Sequence, residues 1–294
     1  SVDITNSGMI DKIRSTTSYG NIKIHNESGG YIETVNAEIR LNLYGNVIDP
    51  SNPKHQVLIE ITNEGNAQSD QVSVLSSYYS NIQLNILDEL EITTHITNAE
   101  NGTIGITPPE NYWGNNEAVR ISQQRSHFFS NNDDTSFLSN VKIENAGLIQ
   151  GDITLWNSKD IITNSGTISG NIDLGTNDDL FNLISGGIIT GIVNAGEGDD
   201  KLIIGIDQDA SLLASMIFPK FQNFETFEID GGGMLIFDAN VNVSHSIFER
   251  GFFRIDNELS GDIQIGIDAT LGGNGRINGD ASISGTLGAG ASIG

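Results

Sequence analysis

Cysteine is absent from the chain. An enzyme of 294 residues in a reducing cytosol usually carries a few. Their absence fits a protein that crosses an oxidising compartment unfolded and must not be trapped by a disulfide. Positive charge is scarce as well: 14 Lys and Arg stand against 38 Asp and Glu, a formal net charge of −24. Phosphate backbones and anionic lipid both repel such a surface, which excludes nucleic acid and argues against anionic membranes as partners. The acids are spread along the chain, where they favour solubility and guard exposed strand edges. No apolar run approaches the roughly 18–20 residues of a membrane helix. No signal peptide opens the chain either. Ser1-Val2-Asp3-Ile4 already reads as strand, so an exported protein would have lost its signal. Helical periodicity is weak except over 207–222, where Leu212, Leu213, Met216, Ile217 and Phe218 predict one short helix ended by Pro219.

Glycine is plentiful but uneven: 9 of the 34 fall in residues 1–144 and 25 in residues 145–294. The second half carries an internal repeat. Asn145-Ala146-Gly147-Leu148-Ile149-Gln150-Gly151-Asp152-Ile153 returns as Asn164-Ser165-Gly166-Thr167-Ile168-Ser169-Gly170-Asn171-Ile172, and again from Ser185 to Val193. Gly147 and Gly166 are 19 residues apart, and Gly166 and Gly187 are 21 apart. Periods near 20 indicate a solenoid. Strand alternation puts Ile149 and Ile153 on one face, together with Gly147 and Gly151. Stacked copies would align their Asn side chains into an amide ladder. The phrase Ile-Thr-Asn at 4–6, 61–63, 96–98 and 162–164 carries the same solenoid into the first half. Longer excursions interrupt it there, at 49–53, 108–116 and 126–134. About 21 residues per rung would give about 14 rungs, fewer with the loops discounted, and a rod of roughly 50–65 Å.

The last third holds the most specific phrases. Asn223-Phe224-Glu225-Thr226-Phe227 leads to Gly231-Gly232-Gly233-Met234-Leu235-Ile236-Phe237. Leu259-Ser260-Gly261-Asp262-Ile263 and Ala269-Thr270-Leu271-Gly272-Gly273-Asn274-Gly275-Arg276-Ile277 come next, and Gly285-Thr286-Leu287-Gly288-Ala289-Gly290-Ala291-Ser292-Ile293-Gly294 closes the series. This order resembles the final rungs of bacterial autotransporter passenger domains, which precede the linker to an outer-membrane barrel. One departure is Ala289 and Ala291 where that family has Pro and Asn. The resemblance implies an all-β, right-handed parallel β-helix (solenoid) with loop excursions in its N-terminal half. It also implies C-terminal rungs that nucleate folding, and a protein secreted or held at the bacterial surface. Three parts are expected: a loop-bearing 1–144, regular Asn/Gly rungs over 145–222, and autochaperone-like rungs over 223–294. Within the last third, Phe218, Phe221, Phe224, Phe227, Phe237, Phe248, Phe252 and Phe253 form the densest aromatic region.

Signs of chemistry are weak. Gly290-Ala291-Ser292-Ile293-Gly294 spells a hydrolase elbow but lacks the strand–turn–helix setting, and reads as a terminal turn. Ala195–Ile203 approaches a calcium nonapeptide and makes Asp199 and Asp200 weak calcium candidates, although tandem copies are normally needed. The acidic pairs 133–134, 178–179 and 199–200 each offer at most one carboxylate to a face. Asp179 and Asp200, 21 residues apart, could still pair across rungs as a sugar-cleaving couple. The bland reading of these acids is solvated turns. The five His, at 25, 55, 95, 127 and 245, show no metal-ligand spacing. Aromatics in polar loops are the better contact candidates: Tyr112, Trp113, His127, Phe128 and Phe129. The expectation is therefore a passenger without catalysis or cofactor. It would bind a host cell-surface protein, receptor or glycan, and would be joined in its precursor to its own outer-membrane barrel. The alternatives are a polysaccharide-active β-helix and a passive stalk.

Overall fold

The computed structural model describes residues 1–17, 21–42, 55–67, 72–79, 90–105, 117–125, 138–156 and 158–288. These residues form an all-β structure of parallel strands stacked level upon level, consistent with a parallel β-helix. Each level lays down up to three strand segments, so the stack has three rows. Row 1 can be followed through Ile4, Ile24, Ile61, Ile96, Ile143, Ile162, Phe181, Leu202, Phe227, Ser246, Ile263 and Ala281, each the register partner of the next. Those twelve levels, at about 4.8 Å each, span roughly 50 Å.

The repeat is bent more sharply than its alternation alone implies. Ile149 and Ile153 are both buried inward, but they stand on separate short strands, Leu148–Gln150 in row 2 and Asp152–Thr154 in row 3. Gly151, at φ +121°, makes the corner between them. A Cβ at Gly170, one level on, would sit 2.3 Å from the Gly151 carbonyl oxygen, so the stacked corners admit only glycine.

The expected amide ladder is present. Asn6, Asn26, Asn63, Asn98, Asn145 and Asn164 are all buried at the end of row 1. Each Nδ2 donates to the Oδ1 of the next, at 2.7–2.9 Å. Successive members are 20, 37, 35, 47 and 19 residues apart. The loop-bearing first half therefore runs in one register with the regular rungs, and its extra length is looped out between levels. Beyond Asn164 the same inward column turns apolar, through Leu183, Ile204, Ile229, Phe248 and Ile265.

In the last third, the strands Val241–Ile255 and Glu258–Gly273 turn the corners without a break and pair along most of their length. Phe227, Phe237, Phe248 and Phe253 fill this end, with Phe248 and Phe253 stacked at 4.2 Å. Phe252 alternates outward and is 42% exposed. The helix expected over 207–222 is shorter. Ser211–Leu213 is spent on a row 2 strand, Ala214–Ile217 makes one α turn, and Phe218–Lys220 makes a 3-10 turn that contains Pro219 rather than stopping at it. None of the helices among the described residues is long and apolar enough to cross a membrane.

Candidate contact surface

The three connections within a level differ in tolerance. From row 1 to row 2 the chain always uses two or four residues after the ladder Asn and arrives at a Gly, at 8, 30, 65, 102, 147 and 166. The Asn side chain folds over this turn and donates to the glycine carbonyl, as from Asn26 to Gly30 at 3.2 Å and from Asn98 to Gly102 at 3.2 Å. A Cβ at Gly30 or Gly102 would lie 2.4 Å from the Oδ1 of that Asn. This connection cannot grow without breaking the ladder.

The connection from row 3 to the next row 1 does grow. In the regular levels row 3 is short: Asp152–Thr154, Ile172–Asp173, Val193–Asn194. In the first four levels it is the latter part of the continuous strands Met9–Thr17 and Tyr31–Asn42, whose first residues belong to row 2, and then Val72–Tyr79 and Glu117–Arg125, paired out to Thr17↔Ile39, Asn42↔Tyr79 and Arg125↔Tyr78. Row 1 lengthens at the same edge, as His55–Asn63, Leu90–Asn98 and Leu138–Asn145. Three successive levels thus carry long arms along one edge, and the segments 43–54, 80–89 and 126–137 join the arms. Those segments lie outside the described residues.

The contact candidates fall in such places. Tyr112 and Trp113 belong to 106–116, and His127, Phe128 and Phe129 to 126–137; all five lie outside the described residues. Their anchor points are described, and they are not shared. Residues 106–116 join row 2 to row 3, whereas 126–137 join row 3 to the next row 1, at opposite ends of the strand Glu117–Arg125. The ends of a nine-residue strand are roughly 26 Å apart. The terminal Gly290–Gly294 and the pair Asp133 and Asp134 are also outside the described residues.

The acids that are described correct the reading drawn from sequence. Asp178 and Asp199 are exposed, but Asp179 and Asp200 are 2% and 0% exposed. They belong with Asp160, also 0% exposed, to an inward column at the start of row 1 that continues Val2, Ile22, Ile59, Thr94 and Val141. The backbone N–H of each is accepted by a carboxylate of the level after: Asp160 N by Asp179 at 2.7 Å, Asp179 N by Asp200 at 2.7 Å, Asp200 N by Glu225 at 2.8 Å. The acids enter where the arms end and row 1 begins abruptly, so that a side chain serves N–H groups at the start of a shortened strand. Oδ2 of Asp179 and of Asp200 has no hydrogen-bond partner among the described residues. Both oxygens of Asp160 lack a well-formed bond as well. Burial pushes the Asp160 carboxyl up to about 7, only partly offset by Ser158 and the Val141 backbone. Burial pushes Asp179 up to about 8, with the neighbouring acids adding to it, and raises Asp200 in the same direction. Asp179 and Asp200 are neither solvated turns nor a couple open to a sugar chain. Asp199 and Asp200 point to opposite sides and do not converge on a calcium ion. Among the described residues no three His, Cys, Asp or Glu side chains are grouped to hold a metal.

The outward positions of row 1 form a mixed charge ladder. Lys23 pairs with Glu60 at 2.7 Å, and Glu144 receives both Lys142 at 2.7 Å and His95 at 2.8 Å. His25 meets Glu64 at 3.2 Å. Two of the scattered His therefore stand on one outward face, each against a Glu. Such exposed pairs are screened by solvent and serve more to set surface pattern than stability.

No protein-family model, curated protein or solved structure matches the chain.

Proposed function

We propose that this chain is the passenger part of a bacterial autotransporter, a right-handed parallel β-helix that is secreted or surface-displayed and binds a host cell-surface protein, receptor or glycan without catalysis. One observation carries the reading. Extra chain length falls mainly at one edge of the first levels, where three long arms stand side by side and are joined by the segments 43–54, 80–89 and 126–137. A stack that holds its register while accepting long connections at one edge suits display, with the stacked levels as scaffold. The order of phrases in the last third supports the autotransporter assignment, and the continuous aromatic-filled end supports a nucleating role in folding. The polysaccharide-active alternative loses its one named pair, since Asp179 and Asp200 are buried.

The test is binding of the purified chain to intact mammalian cells. Residues 126–134, on the long edge, or residues 108–116, at the other end of the same strand, are replaced by a Gly-Ser segment of equal length. Saturable binding that falls at least tenfold with the 126–134 replacement, with an unchanged far-UV spectrum, is the expected result. Undiminished binding by both variants would remove the contact role from these segments.

A further inference from the structure

One interior level of the stack pairs in a single direction in two of its three rows. Its row 1 strand, Lys201–Gly205, pairs with the level on each side. Its row 2 strand, Ser211–Leu213, pairs only forward, with Met234–Ile236. Its row 3 strand, Phe221–Gln222, pairs only backward, with Val193–Asn194. Row 2 is thus interrupted between Ile188–Ile189 and Ser211–Leu213, and a cavity of about 520 Å³ opens in the gap. That volume lies in the range of small-molecule sites.

The walls are apolar. Ile184 and Ile188 come from the level before, Leu212 from the displaced strand, Met216 from the α turn and Phe221 from the row 3 strand after it. Ile188 is 53% and Met216 69% exposed, so the rim is open and apolar. The polar end is Lys220. In the unbroken row the Ile168 carbonyl accepts the Thr190 N–H. Its register partner Ile189 has no strand beyond it, and its carbonyl accepts Lys220 Nζ instead, at 2.7 Å. An ammonium has three donors, and this bond uses one. Lys23, Lys142, Lys159, Lys201, Arg250 and Arg254 each have a carboxylate partner, whereas Lys220 has none among the described residues. The one acid in the lining, Asp207, is exposed at the surface.

We propose that this gap binds a single-chain amphiphile with an anionic head, its tail along Ile184, Ile188, Leu212 and Met216 and its head on the Lys220 ammonium. An added peptide strand fits less well, because the open edge is two residues long and Lys220 already holds its Ile189 carbonyl. The head-group sign is the distinguishing feature. A chain of net charge −24 attracts cationic amphiphiles indiscriminately, so preference for an anion has to come from a local site.

The full chain is titrated calorimetrically with decanoate and decyltrimethylammonium below their micellar concentrations and with decanol below its solubility limit. Saturable decanoate binding, about tenfold tighter than decanol, is expected. Lys220→Gln lowers decanoate to the level of decanol, Lys220→Arg keeps the preference, and Ala210→Phe, which fills the lining, abolishes binding of both. Co-sedimentation with neutral-lipid vesicles carrying the single-chain lysophosphatidylglycerol separates the sources of the head group. Lys220-dependent binding to decanoate alone assigns a free acid, and Lys220-dependent binding to vesicles assigns a membrane lipid. Three results overturn the proposal: decanol or the cationic chain binding as tightly as decanoate, indifference to Lys220→Gln in a chain of unchanged thermal midpoint, or no saturable binding in either arm. If Lys220→Gln fails to fold, the Arg and Phe variants still decide.

Discussion

Replacing Asp160 by Asn should change how stability depends on pH more than it changes stability in acid. Asp160 is fully buried, and its carboxyl is pushed from 3.8 up to about 7 by desolvation. The folded state therefore holds a proton that the unfolded chain has lost over roughly pH 4 to 7. Where the folded state binds more protons, unfolding free energy falls as pH rises. A gap of about three units at about 1.4 kcal/mol each makes the loss about 4 kcal/mol by neutral pH. Asp179 and Asp200 shift in the same direction and steepen the fall. Glu60, Glu144, Asp178 and Asp238 are shifted downward by their partners. Their contributions are present above the ordinary carboxylate range and are lost only in stronger acid, outside this window. Urea unfolding of both chains at several pH values between about 4.5 and 8 gives the test. The unsubstituted chain should weaken progressively, and Asp160→Asn should weaken less, overtaking it by a few kcal/mol near neutrality. Parallel pH profiles would show that Asp160 is ionised in the fold, and the buried-column account would be wrong.

The amide ladder predicts a gradient with position. Asn98→Leu, mid-ladder, removes the acceptor of Asn63 and the donor to Asn145 and should cost about 3 kcal/mol in denaturant unfolding. Asn164→Leu, at the end where the next member is already Leu183, should cost about 1 kcal/mol, and equal losses at both sites would argue against a cooperative ladder. Phe248→Ala, which removes a fully buried ring stacked on Phe253, should cost about 3–5 kcal/mol; a loss below about 1 kcal/mol would mean that this end is loosely packed.

The legible part of the fold was the part in which every level repeats one physical demand. Ile-Thr-Asn marked four ladder levels because Ile and Asn point inward. Ile24-His25-Asn26 and Ile143-Glu144-Asn145 escaped that phrase because the middle residue points outward and is free to vary. The acidic column was misread because paired acids look like solvated turns. Strand alternation sends one of each pair outside and the other inside, and the spacing of Asp160, Asp179 and Asp200, 19 and then 21 residues, was the available signal. The broken row was not legible. Nothing local separates Ser211–Leu213 as a strand from the start of a helix, since the decision comes from pairing with Met234–Ile236. The edge shared by the long arms was also hidden, because it depends on where each strand ends relative to its neighbours.

The positions of the two polar columns account for where the stack can vary. Asn at the end of row 1 must meet Asn above and below, so the turn after it is fixed at two or four residues and ends in Gly. The start of row 1 carries no such demand in the first five levels. Its inward column there is Val2, Ile22, Ile59, Thr94 and Val141, and a strand that enters through an aliphatic or Thr position can be lengthened outward without orphaning a side-chain partner. Once Asp160, Asp179 and Asp200 take over that column, the carboxylates of Asp179 and Asp200 bind the N–H groups of Asp160 and Asp179 at the start of row 1, and the arms disappear. Long connections from row 3 to the next row 1 are therefore confined to the first half. That restriction makes the long edge of the first levels the place to look for a partner.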